Sequence, residues 1–161
     1  MTKKFSQSPT VWYNYAHFLF NILAAPDRGR ALLMRATQAL PPHTHLPLTL
    51  KFAALEFHSE NGSPERGRTI FEGVLAKWSK RLDIWSQLLD LEIKSGDKSI
   101  IRGVLERVAR IKGLKPKGAK GWFRRWSEWE EVNGDKKSQE RVRALAEEWV
   151  KNRAEKKDEA E

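Results

Sequence analysis

Three carboxylates, Glu56, Glu92 and Glu130, recur 36 and 38 residues apart, each in a similar stretch ("LEFHSENG", "LEIKSGD", "WEEVNGD"). Two carboxyls can share general acid and base work only when both reach one substrate atom, within several ångströms. A fixed recurrence of this length instead sets the acids one structural repeat apart and predicts a repeated joint. The natural partners lie on a neighbouring helix, as arginines at the start of a second helix, Arg68, Arg102 or Arg143, giving charge-assisted bonds inside the repeat.

Other chemistries lack their residues. The chain has no cysteine, which removes disulfides, thiolate metal sites and cysteine nucleophiles and fits a reducing compartment. His17, His43, His45 and His58 include one close pair, His-Thr-His beside Pro41-Pro42, with no nearby carboxylate to complete a tetrahedral set. The glycines form neither a phosphate-binding loop nor a nucleophile elbow. No catalytic residue, cofactor or metal is expected.

Two features point to surfaces. Trp122, Phe123, Trp126 and Trp129 are the densest aromatic cluster, with Arg124 and Arg125 between them. Stacking of bases is one use for such a group. Positions 122, 126 and 129 nevertheless follow one helix face and predict core packing. The segment "RIKGLKPKGAKGWFRR", residues 110–125, carries Arg110, Lys112, Lys115, Lys117, Lys120, Arg124 and Arg125 and no acid. It is the candidate contact to RNA phosphates or to an acidic protein segment.

The elements that position these residues are helices throughout. Apolar residues recur at helical period, and no segment alternates as a strand does. Ser8-Pro9 opens a helix with Val11, Trp12, Tyr15, Phe18, Leu19 and Ile22 inward, and Pro26-Asp27 opens the next. Further helices begin near position 45, at Ser63-Pro64, at an Asp83 cap, after Gly96-Asp97, near position 119 and after Gly134-Asp135. Arg30, Arg68, Arg102 and Arg143 are aligned near the start of each second helix, and Trp12, Trp85 and Phe123 early in the first. The result is four pairs, about 9–40, 45–78, 82–112 and 119–150, after an extension at 1–8 and before a charged tail at 151–161. Pairs of this length predict an all-α fold, a right-handed α-α solenoid whose units bury apolar faces against neighbours.

Composition agrees with an ordered chain. Its 161 residues suffice for one domain, and seven Trp with seven Phe supply large apolar side chains. The formal charge of +9 raises attraction to polyanions, nucleic acid first. No stretch is apolar and long enough for a signal peptide or a membrane span, so a soluble intracellular protein without a membrane partner is expected.

The early aromatic, the helix-end Glu and second helices such as "RTIFEGVL" and "RGVLERV" resemble HAT repeats, the half-a-TPR units of RNA-processing proteins. The span 51–97, with "WFRRWSEWEEVNGD" at 122–135, is more narrowly similar to the C-terminal HAT region of the multi-S1-domain ribosomal RNA biogenesis family, which includes the homologue of programmed cell death protein eleven. The likeness covers about residues 5–150, with Leu19 standing where the first pair would carry its Glu.

That resemblance implies a nucleolar fragment without the family's RNA-binding S1 modules, acting in pre-rRNA processing and small-subunit maturation. The leading expectation is a non-enzymatic scaffold that docks pre-ribosomal assembly factors. Direct, sequence-independent binding of pre-rRNA through the basic connection is the alternative, as is a HAT module of an mRNA splicing or 3′-end processing complex. A monomer is expected, with self-association possible through the apolar first pair, "VWYNYAHFLFNIL".

Overall fold

A computed structural model describes residues 7–160. The first six positions of the extension 1–8 and the last residue of the tail lie outside the described residues. Among the described residues there are eight α-helices, one 3-10 turn and no strand. They are α1 (Pro9–Asn21), α2 (Pro26–Ala39), the turn Pro42–Thr44, α3 (His45–His58), α4 (Pro64–Lys77), α5 (Leu82–Ser95), α6 (Lys98–Ala109), α7 (Pro116–Asn133) and α8 (Lys136–Asp158).

Local chemistry sets most of these boundaries. Proline occupies the first turn of α1, α2, α4 and α7, where its missing N–H costs no helical hydrogen bond. Ser63 caps α4 by accepting the Arg66 N–H, and Asp97 caps α6 by accepting those of Ser99 and Ile100. Asp135 and Ser138 form a reciprocal capping box at α8, at 2.8 and 2.9 Å. Two expected caps differ. Ser8 stands before α1 without a side-chain cap bond. Asp83 lies inside the first turn of α5, where it pairs with Arg81 at 2.6 Å. α8 continues as helix through most of the expected tail, to Asp158.

The chain divides into two compact units, the first ending at Ile84 and the second beginning at Trp85. In the first, α1 packs on α2, α3 on α4, and α3 on both α1 and α2. Its core joins Trp12, Ala16, Leu19 and Phe20 to Leu32, Ala36, Leu40, Leu48, Phe52 and Leu55. The inward face of α1 is thus rotated from the expected one: Phe18 and Ile22 are exposed, and Ala16 and Phe20 take the core. Ala16 lets α2 come close. At the same register Gly29 of α2 lies so near the Phe20 ring that no Cβ fits, and Gly67 of α4 lies equally near the Phe57 ring and the Ala53 carbonyl. These glycines sit inside near-identical pentapeptides, Pro-Asp-Arg-Gly-Arg (26–30) and Pro-Glu-Arg-Gly-Arg (64–68).

In the second unit α6 packs on α7 and α7 on α8. Ile101, Val104, Leu105 and Val108 of α6 and Trp122, Phe123 and Trp126 of α7 are buried. The Trp122 indole N–H donates to the Leu105 carbonyl at 3.1 Å, and the Phe123 ring stacks on Trp126 at 6.3 Å between centroids. Trp122, Phe123 and Trp126 are therefore core, while Trp129 is half-buried with the Arg102 guanidinium over its ring.

Candidate functional site

The three recurring carboxylates are among the most buried polar groups of the fold, with Glu56 2%, Glu92 1% and Glu130 2% exposed. Glu56, near the end of α3, accepts two bonds from Arg30 of α2, Nε to Oε1 at 2.6 Å and Nη2 to Oε2 at 3.0 Å. Its Oε2 also accepts the backbone N–H of Ser63, the residue that caps α4, at 2.7 Å. Arg30 is held further by Asp27 at 2.9 Å, and its guanidinium lies over the Phe20 ring. One carboxylate thus ties together α2, α3 and the start of α4. The uncompensated N–H groups at a helix start favour a negative charge there.

The second unit repeats the joint. Arg102 of α6 donates to Glu130 of α7, Nε to Oε1 at 2.9 Å and Nη2 to Oε2 at 3.1 Å. The Trp126 indole N–H donates to Oε1 at 3.4 Å. Burial pushes the Glu130 carboxyl up, but the bonds from Arg102, the Ser138 hydroxyl and Trp126 outweigh it and hold its pKa below the ordinary value. The Arg102 guanidinium, bonded to Glu130, is correspondingly raised.

Of the arginines expected as partners, Arg102 meets Glu130, whereas Glu56 is met by Arg30, a repeat position outside that set. The guanidinium comes from the second helix of the preceding pair, α2 to α3 and α6 to α7, and not from the helix that follows the acid. The reason is steric: the following helix presents its backbone start to the acid, and the guanidinium must arrive from the opposite flank. Arg143 does not share the place of the other three arginines. Arg30, Arg68 and Arg102 are each the fifth residue after their N-cap, whereas that place in α8 is Glu140. Arg143 is three residues further on, exposed, and in no ion pair among the described residues. In α8 it is Arg141 that reaches back to α6, at 2.7 Å from Glu106. Arg68 lies over the Phe57 ring.

The aromatic repeat positions serve packing. Trp12 and Trp85 are buried, with Arg35 over the first ring and Arg107 over the second. Phe123 is buried against Trp126. Among the histidines, His45 bonds the Leu40 carbonyl at 2.8 Å and His17 lies against Tyr13. Among the described residues no three His, Asp or Glu side chains gather as metal ligands would.

The basic segment splits into two populations. Arg110 ends α6 near Glu106 at 3.9 Å, Arg124 pairs with Glu128 at 3.0 Å, and Arg125 pairs with Asp90. Lys112, Lys115, Lys117 and Lys120 are exposed and form no ion pair among the described residues. Because α7 begins at Pro116, Lys117, Lys120 and Arg124 lie on a helix and share its solvent face, opposite Trp122, Phe123 and Trp126.

Two open clefts lie in the second unit. One, of about 610 Å³, exposes the Arg102–Glu130 joint beside Asp135, Ser138 and Arg141. Its polar side chains are largely spent on each other. The other, of about 680 Å³, runs between the end of α6 and the second half of α8, lined by Ile111, Leu145 and Trp149 with charges of both signs.

No family model matches the chain. Among curated proteins it is similar to rRNA biogenesis protein rrp5 of Schizosaccharomyces pombe, 45% identical over 93% of this chain and 9% of that protein. It is 37% identical to Protein RRP5 homolog of Homo sapiens, over 93% of this chain and 8% of that one. To rRNA biogenesis protein RRP5 of Arabidopsis thaliana it is 35% identical, over 93% and 8%. The chain spans less than a tenth of the length of these relatives.

Proposed function

The chain belongs to the family of RRP5 rRNA biogenesis proteins, of which it is a short segment, and from that premise we propose that it serves rRNA biogenesis as a non-enzymatic docking module. The observation that carries this reading is the fate of the acids. Glu56 accepts from Arg30 twice and from the Ser63 N–H, and Glu130 from Arg102 twice, from Trp126 and from the Ser138 hydroxyl, so both buried carboxylates lock helices together instead of facing a substrate. What remains for recognition is helix surface.

The same joint recurring from α2 to α3 in the first unit and from α6 to α7 in the second supports a HAT-type repeat. Such a scaffold offers extended faces to assembly factors. Its place of action is the nucleolus, in precursors of the small subunit. No described helix is long and apolar enough to cross a membrane.

The test replaces the matching segment of the fission yeast relative with this chain and follows rRNA precursors. Deleting the segment should accumulate precursors and the transplant should restore processing, while the purified chain leaves a precursor transcript intact. A harmless deletion, or cleavage by the chain alone, overturns the reading.

A further inference from the structure

We propose that the solvent face of the first turns of α7, with the connection before it, is a binding site for the sugar-phosphate backbone of single-stranded RNA, gripped by Lys112, Lys115, Lys117 and Lys120. Three observations converge on this strip. The four ammonium groups are exposed and form no ion pair among the described residues, whereas the arginines of the same segment are tied to Glu106, Glu128 and Asp90. The protein has thus set aside its lysines and consumed its arginines.

The charges also stand where the helix does not want them. Lys115 is the N-cap of α7 and Lys117 lies in its first turn, at the positive end of the helix, with no acid there. The first turns of α2, α4 and α5 carry Asp27, Glu65 and Asp83, and where lysines open α6 and α8 an aspartate, Asp97 or Asp135, caps the helix beside them. α1 and α3 lack a first-turn acid too, but no lysine stands there. A polyanion laid along the strip removes the repulsion.

The strip is bare between its charges. Gly121 falls among Lys117, Lys120 and Arg124 on the outer face, and a Cβ there would meet nothing within 4 Å. Protein interfaces are built around buried aromatic and aliphatic anchors and are depleted in lysine. Spaced ammonium groups on a glycine-flanked surface fit phosphates, which lysine meets as point charges without reading sequence. The lysines stand out in the sequence and the structure separates them from the paired arginines; RNA as their polyanion rests on the rRNA reading above.

The experiment is binding of a fluorescent oligouridine of about 20 nucleotides to the whole chain, from about 50 to 200 mM salt. Four phosphate contacts give a log-log slope of roughly −3. Joint replacement of Lys112, Lys115, Lys117 and Lys120 by Ala should weaken binding at least tenfold and flatten that slope. Joint replacement of Lys151, Arg153, Lys156 and Lys157 removes the same charge from α8 and should change affinity less than threefold. On the unaltered chain, oligouridine should protect Lys115, Lys117 and Lys120 from amine acetylation and leave Lys151 and Lys156 reactive.

Equal loss in both variants, unprotected lysines, or competition by polyglutamate as strong as by unlabelled oligouridine overturns the site; the last would make the partner an acidic protein. A transplant that restores processing without RNA binding defeats this inference alone. RNA binding with a transplant that fails defeats the docking function alone.

Discussion

Arg102 on α6 clasps Glu130 on α7 with two parallel hydrogen bonds, at 2.9 and 3.1 Å, and Arg30 on α2 clasps Glu56 on α3 in the same way. A planar guanidinium matched to a carboxylate is the strongest form of this contact. Its acid is buried in both cases, while the Arg102 side chain keeps 38% exposure. Solvent screening therefore moderates the second pair.

Replacing Glu130 by Gln should cost about 1–3 kcal/mol, since the Arg102 guanidinium would lose its charged acceptor in a partly buried place. Urea denaturation of Glu130→Gln, Arg102→Gln and the double variant measures the coupling. A coupling of about 1 kcal/mol is expected. Additive losses would mean that the two residues act separately.

The acid limb of stability should carry the signature of Glu130. Its folded pKa is depressed, so between that value and the unfolded value of about 4.3 the unfolded chain binds more protons and stability rises with pH. The stabilisation is complete above the unfolded pKa and is lost as pH falls through the folded one. Asp83, bonded to Arg81, and Asp135, bonded to the Ser138 backbone, shift the same way and add to the limb. Denaturation midpoints of Glu130→Gln should fall less steeply between about pH 5 and 3 than those of the parent. Parallel curves would remove Glu130 from the limb.

Gly96→Ala and Gly121→Ala should move stability in opposite directions. Gly96 follows α5 with φ of 86°, where a Cβ costs about 1–2 kcal/mol. Gly121 is within α7 and meets open space, so Ala there should gain up to about 1 kcal/mol. Thermal melts read both signs.

Gly67→Ala should be destabilising by about 1–3 kcal/mol, because its methyl would press on the Ala53 carbonyl as well as the Phe57 ring. A melting temperature within a degree of the parent would show that α3 and α4 can part without loss.

Much of the helix plan could be read from residue order. Pro9, Pro26, Pro64, Asp97 and Asp135 mark starts by local hydrogen-bond chemistry, which needs no distant partner. The near-identical pentapeptides at 26–30 and 64–68 were a further signal, placing Gly29 and Gly67 at the close crossings. Local order was less informative for α1. Val11, Tyr15, Phe18 and Ile22 are as apolar as the residues that take the core, so rotation of the helix is decided by α2 and α3 packing against Ala16 and Phe20.

By itself the sequence determined an all-α chain, the boundaries of most of its helices, and the recurrence of an acid and an arginine at fixed places in their pairs. Those properties depend on backbone propensity, capping and periodicity, all of which act over a few residues. Only the tertiary structure decided that Arg30 serves Glu56 and Arg102 serves Glu130, and that Arg124 and Arg125 are paired while Lys117 and Lys120 face solvent alone. The physical reason is that a long charged side chain has several oppositely charged candidates within reach of the chain, and packing selects which one shares its desolvated space.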